Sequence, residues 1–300
     1  MKPYRFRLGE AYFFAKNFVP YLTTAYGQPE KSLISCGFTR LDLFTSTCFC
    51  LSWCVTASVI SGANGFWLRS MSPKESLDII RNKKTLAEFI EINCPDTLSI
   101  PTKKMADIED LEWSFPIVCK PYNGRSSQGL RYIYTNAEWE KAKKEVEQES
   151  YIVQPYISGP RIVVEIVRQD TPNKVIAMTR RELISTPHGC SLTVLTYQDK
   201  KLEKAASNLA NALGVIGDVN FEYILDDDGS YHFIECNPRF SAGCEFSCMS
   251  GYDCIENHIK CFIGQEIEDY HFKHNMIIAR KYEEFVTATN IDVPYGKTCN

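Results

Sequence analysis

The stretch GDVNFEYILDDDGSYHFIECNPRF, residues 217–240, limits the possible folds more than any other part of the chain. Two runs rich in β-branched and aromatic residues flank Asp227, Asp228 and Gly229, a turn composition, so the spacing predicts an antiparallel hairpin. Alternate side chains of a strand share a face, which sends Glu235, Asn237 and Arg239 one way and Ile234, Cys236 and Phe240 elsewhere. Glu222, near the end of VNFEY, stands thirteen residues before Glu235, and the turn brings both carboxylates toward one place. Two such charges repel by about 4 kcal/mol at roughly 4 Å and an effective dielectric near about 20, a cost that a divalent cation removes. Carboxylate and amide oxygens are hard donors suited to Mg2+, and an adjacent arginine suits phosphate oxygens. The bland alternative is a strand end whose polar groups are merely solvated.

Bulk properties narrow the classes. Three hundred residues suffice for two domains, or for one large domain with an extra lobe. With 44% apolar residues, 23% charged and a net charge of −4 there is no basic stripe, so no nucleic-acid partner is expected. Thirteen cysteines form no repeated framework and no secretory leader pattern opens the chain, which reads as reduced thiols in the cytoplasm. Cys36, Cys48, Cys50 and Cys54 lack the paired spacing of a zinc site, and Cys244, Cys248, Cys254 and Cys261 read as small buried hydrophobes. The uncharged run from Leu43 to Leu68 is broken by Thr, Ser, Gly and Asn. It reads as buried strands, with no membrane association expected.

Along the chain, residues 1–72 are rich in aromatics and cysteine, with a candidate strand at Val55–Ile60. From Ser72 helical signals sharpen: Ser72 as N-cap, Pro73 in the first turn, Glu75 at the capping-box position, then apolar spacing for one helix or two. FPIVCKPYNGRSSQGLRYIYT reads as a hairpin with an unusually polar loop, NAEWEKAKKEVEQE as a charged helix, and SYIVQPYISGPRIVVEIVRQ as two strands about a Gly-Pro turn. NKVIAMTRREL adds a strand, KKLEKAASNLANALGV a helix ending near Gly214, and DCIENHIKCFIG a last helix.

Lys120 stands just before Asn123, Gly124, Arg125, Ser126, Ser127, Gln128 and Gly129, so an ammonium adjoins a loop with free backbone N–H groups and hydroxyls that can wrap phosphates. A lone Gly/Ser hairpin is more often only a hairpin. Taken in order, however, the lysine before a helix, the lysine-bearing Gly-rich hairpin, the VQPYI strand, the acidic strand and E-x-N-P-R resemble the ATP-grasp superfamily over residues 75–265. The likeness is strongest to the branch holding carbamoyl phosphate synthetase large subunits, biotin carboxylase and other carboxylate-amine ligases.

The resemblance implies an α/β (α+β) fold of two subdomains gripping a nucleotide. It implies a divergent, shortened Rossmann-like lobe over 1–72, and an ATP-grasp domain over 73–300 with a lid at about 100–157 and a large subdomain at about 158–300. It assigns Lys83, with Lys84 as the alternative, as the lysine entering from the preceding lobe, Lys120 as the α/β-phosphate lysine, and Ser126, Ser127 and Gly129 as the flexible lid. Gln154, Pro155 and Ile157 match the adenine hinge, Glu222, Glu235 and Asn237 the metal ligands, and Arg239 the arginine for the transferred phosphoryl group. Arg180 or Arg181 falls where a substrate carboxylate or phosphate is held, each with the alternative of a surface charge; His188 reads as solvated. The implied cofactors are ATP and two Mg2+ or Mn2+ ions, the implied partners a small carboxylic acid, an amine and a second copy in a homodimer. The hinge departs from the usual pattern in carrying Gln154 for Glu, and Pro160 and Arg161 replace the acid that follows it. The rival implication is a nucleotide-binding regulatory protein without catalysis.

Overall fold

The computed structural model describes residues 72–124, 128–186 and 190–281. The Rossmann-like lobe expected over 1–72, with its Val55–Ile60 strand, lies outside these, apart from Ser72. Numbering elements in chain order among the described residues, the smaller sheet holds β2 (Lys103–Lys104), β3 (Ile117–Pro121), β4 (Arg131–Ile133) and β5 (Tyr151–Pro155), in the order β2-β5-β3-β4. Helix α3 (Asn136–Glu145) covers it, burying Trp139 and Ala142 against Ile117, Cys119, Ile133 and Val153. Thr135 starts that helix by accepting from Glu138 N, while Glu138 Oε2 accepts from Tyr134 N, so two otherwise unpaired donors are satisfied.

The larger sheet has seven strands, ordered β1-β10-β9-β6-β7-β8-β11. They are β1 (Leu98–Ser99), β6 (Arg161–Gln169), β7 (Lys174–Ser185), β8 (Ser191–Tyr197), β9 (Gly217–Leu225), β10 (Tyr231–Asn237) and β11 (Met276–Ala279). Only β1 against β10 is parallel. On one face Ile162, Val164 and Ile166 of β6, Val219, Phe221 and Tyr223 of β9, and Phe233 and Cys236 of β10 form the main core. Helix α4 (Lys200–Leu213) meets them with Leu202, Ala206, Leu209, Ala210 and Leu213, a stripe at helical spacing, and ends at Gly214 in the left-handed conformation.

Two helices enter the same core, α1 (Lys74–Arg81) and α2 (Lys83–Asn93). Asn82 separates them: it ends the first with an extended backbone and caps the second, accepting from Lys84 N and Thr85 N at 3.0 and 3.3 Å. Lys83 thereby becomes the first residue of a helix. Ser72 is not the N-cap. Pro73 occupies that position, and Ser72 Oγ instead accepts from Ile216 N at 3.0 Å, tying the helix entry to the start of β9. The strands β1, β2, β8 and β11 had not been expected from the sequence.

On the opposite face, α5 (Cys244–Met249) and α6 (Cys254–Ile263) cover part of the sheet. His258 of α6 accepts from Asp218 N at 2.9 Å and packs between Phe240 and Phe262. Gly217 makes room for it, since a Cβ there would come within 2.5 Å of His258 Nδ1. Burial pushes the imidazole down to about 4. The unfolded chain takes up this proton near its ordinary value of 6.5 while the folded one resists. Stability is therefore fully present above 6.5 and is lost as pH falls toward 4, by roughly 3 kcal/mol. Denaturant titrations over that window should show this slope, and His258→Asn, which keeps an acceptor but cannot titrate, should flatten it.

Candidate functional site

Strands β9 and β10 place Glu222 opposite Glu235 and Asn220 opposite Asn237. Their register shifts between Phe233 and Glu235. An unbroken strand would put these two residues on one face; the bulge lets Phe233 pack into the core beside Tyr223 while Glu235 turns outward with Asn237. Asn237 Nδ2 donates to Glu222 Oε1 at 3.1 Å and to Glu235 Oε1 and Asn220 Oδ1 at 3.3 Å each. Arg239 Nη2 donates to Asn237 Oδ1 at 3.2 Å and Nη1 to Phe240 O at 3.0 Å, while Asn220 Nδ2 donates to Arg239 O at 3.2 Å. Burial, then the charge of Glu235, pushes the Glu222 carboxyl up to about 7 against the pull of Arg161 and Arg239.

Cations face this edge from three other elements. Lys83 Nζ donates to Gly124 O at 3.0 Å and lies 3.6 Å from Glu235 Oε2, and Lys83 N donates to Tyr122 O, so one residue ties the β3–β4 hairpin to the carboxylates. Burial pushes the Lys120 ammonium down to about 8, against the pull of Glu235 and Glu222 and helped by the charges of Lys83 and Arg161. Arg161, opening β6, sets Nη1 3.6 Å from Glu222 Oε2. Lys84 turns away and pairs with Glu88 at 2.8 Å.

The hairpin loop needs Gly129: its φ is +72°, and a Cβ would meet Tyr151 Oη at 2.6 Å and Pro121 Cγ at 2.9 Å. Ser126 and Ser127 lie outside the described residues, as does His188. At the end of β5, Gln154 is buried and its Nε2 donates to Thr102 Oγ1 at 2.7 Å. Pro155 pairs with Ile117, and the chain then passes through Tyr156 to Ile157 at the mouth of the turn.

Arg180 is not a substrate-binding group. Its side chain is 2% exposed, and it donates to Glu165 Oε2 at 2.5 Å, Ser241 Oγ at 2.8 Å and Ser247 Oγ at 3.2 Å. Asp218 joins the cluster, its carboxyl pushed well above the usual carboxylate range by burial and then by Glu165. The reason is register: Val163 of β6 pairs with both Glu222 and Arg180, so Arg180 shares the polar face but sits where α5 covers it. Arg181, one residue on, is exposed. Sequence reasoning missed Asn220, Glu165, Ser241 and Thr102; Asn220, two residues before Glu222, was within reach of the same alternation rule. Among the described residues no three His, Cys, Asp or Glu side chains converge as a metal cluster, and no helix is long and apolar enough to cross a membrane. Cys244 and Cys254 are buried, Cys248 and Cys261 partly so.

An α3-covered four-stranded sheet whose lysine-bearing hairpin meets the carboxylate edge of a seven-stranded sheet defines the ATP-grasp architecture. Residues 147–285 match the family described as "ATP-grasp in the biosynthetic pathway with Ter operon". It is similar to the carbamoyl phosphate synthase large chain of Clostridium acetobutylicum, at 24% identity over 245 residues, covering 74% of this chain and 23% of that one. Among solved structures it resembles a Campylobacter jejuni biotin carboxylase–β,γ-ATP complex, with TM-score 0.63, 22% identity, 70% of this chain and 53% of that one. It also resembles the biotin carboxylase domain of Hydrogenobacter thermophilus 2-oxoglutarate carboxylase bound to MgADP and bicarbonate, with TM-score 0.61, 18% identity, 70% of this chain and 52% of that one. The chain thus spans about a quarter of that curated relative and about half of each structure.

Replacing Arg180 by Met leaves Glu165 buried without its cation. Chemical denaturation should show a loss of roughly 3–5 kcal/mol; an arginine serving only substrate would leave the midpoint unchanged.

Proposed function

We propose that this protein is an ATP- and Mg2+-dependent ligase that activates a small-molecule carboxylate as an acyl phosphate and joins it to an amine, releasing ADP and phosphate. The observation that carries the reading is Glu222 facing Glu235 across one strand pair, within electrostatic reach of Lys120. Two carboxylates supply two hard oxygen donors, and Asn237 supplies a third once its amide turns over to present Oδ1. Three protein donors do not complete an octahedron, which suits Mg2+ or Mn2+, ions that keep phosphate oxygens and water in their shell. Two such ions would neutralise the bridging phosphate oxygens and make the γ-phosphorus more electrophilic.

Within this reading residues 100–157 form the lid and 158–300 the large subdomain. Lys120 holds the α- and β-phosphates; their negative charge compensates the burial that depresses its ammonium. Lys83 bridges the hairpin backbone and Glu235, so it holds the lid over the phosphates, to which Ser126, Ser127 and the Gly129 turn add N–H and hydroxyl donors. Gln154, Pro155 and Ile157 receive the base. Arg239, anchored through Asn237 and Phe240 O, faces the charge that builds on the transferred phosphoryl group. Little covalent help is needed, since positioning and charge carry phosphoryl transfer. Assembly as a homodimer belongs to the same reading.

The test is phosphate release from ATP and Mg2+ across pooled carboxylic acids and amines. Turnover should require an added acid and fall roughly a hundredfold or more in Glu235→Gln, through lost stabilisation of transferring charge. Unchanged turnover in that variant would refute the metal-ligand assignment, and acid-independent nucleotide binding with no turnover would favour the non-catalytic relative.

A further inference from the structure

We infer that Thr102 sets the choice of nucleobase by fixing the side-chain amide of Gln154, so that the site accepts a purine with an amino group at position 6 and disfavours one with an oxygen there. The inference rests on the ATP-site reading above and adds to it a positioning residue outside the hinge.

Thr102 Oγ1 donates to Ile100 O at 2.7 Å. A hydroxyl has one proton, and a backbone carbonyl has none to return. The second contact of the same hydroxyl, 2.7 Å to the end of the Gln154 side chain, must therefore be one in which the glutamine gives the proton. Amide nitrogen and oxygen are nearly the same size, and only their neighbours decide which way the group faces. Here the neighbour is a spent hydroxyl, so Nε2 turns toward Thr102 and Oε1 turns away from it. Among the described residues no group donates to Gln154 Oε1.

The surroundings leave the amide little room to evade this. Gln154 is 5% exposed and sits on β5 between β2 and β3, with Val118 opposite it on β3 and Lys103, next to Thr102, opposite Val153. A glutamine is two-faced, able to donate or accept. Tied to Thr102 through one of its two N–H groups, it turns its acceptor Oε1 away from the threonine, and that oxygen pairs with an exocyclic amine and repels a carbonyl oxygen placed against it. A site built to hydrogen-bond a particular group rejects an analogue lacking it far better than an apolar pocket does.

Calorimetric titration of the full chain with Mg2+ and the β,γ-imido analogues of ATP and ITP tests this, because the two bases differ only at position 6 and in the N1 proton that follows from it. Wild type should bind the adenine analogue about tenfold more tightly or better, the scale of one hydrogen bond gained or lost. Thr102→Val frees the amide to turn over and should lower that ratio severalfold. Thr102→Ser keeps the hydroxyl and should keep the ratio, and Gln154→Glu, which can only accept, should restore it in the Thr102→Val background. A merely structural Thr102 would weaken both analogues together and leave the ratio alone. A ratio unchanged in Thr102→Val, or wild type binding both analogues equally, overturns the inference while leaving the ATP-site reading in place. Wild type that binds neither analogue overturns both.

Discussion

Two carboxylates set directly opposite each other on adjacent strands dominate the energetics of this site. Glu222 and Glu235 cannot move apart, because the strands that carry them are pinned by the core on the other face of the sheet. What relieves their repulsion is partial: the Asn237 amide; Lys83 and Arg161, each 3.6 Å from one of them; and the charges of Arg239 and Lys120 farther off. Glu222 is left with its carboxyl pushed up to about 7. In the proposed function a divalent cation would meet that need, and a triphosphate would answer the lysines that remain. On that proposal each half of a metal–nucleotide pair would offset charge that the other leaves unbalanced.

The scaffold explains why the pair is where it is. The bulge before Glu235 changes the parity of β10, so one strand serves the apolar core with Phe233 and the polar edge with Glu235 and Asn237. Behind them, Arg180, Glu165 and Ser241 knit β6 and β7 to the turn that follows Arg239, with Ser241 Oγ donating to Glu165 Oε2 at 2.5 Å. That buried network holds the backbone carrying Arg239 without touching the open edge. Lys83 does the corresponding work on the other side, through its place in the first turn of α2.

Much of this was legible in the residues. The β9–β10 hairpin, the polar β3–β4 hairpin, α3, α4 and the closing helix follow from alternation, turn chemistry and helical spacing, signals that act over a few residues. The tight turn brings the strands of Glu222 and Glu235 side by side, but their direct pairing depends on the bulge between Phe233 and Glu235, which no local signal announces. What sequence could not resolve depends on which strands lie next to which. Arg180 shares a face with Glu222 but is covered by α5, and only the sheet order reveals the difference. The two-residue strands β1 and β2 exist because longer strands offer them an edge, not because Leu98–Ser99 or Lys103–Lys104 prefer extended backbone. By contrast β8, SLTVLTY, is rich in β-branched and apolar residues, a strand composition carried by the residues themselves.

The most direct measurement of the central claim is a crystal structure of the full chain with Mn2+ and a non-hydrolysable ATP analogue, with data collected at the manganese absorption edge. Anomalous peaks between Glu222 and Glu235, with phosphate oxygens completing the shell and Lys120 on the triphosphate, are the predicted result. Manganese bound elsewhere with these two carboxylates bare, or a triphosphate out of reach of Lys120, would contradict the account.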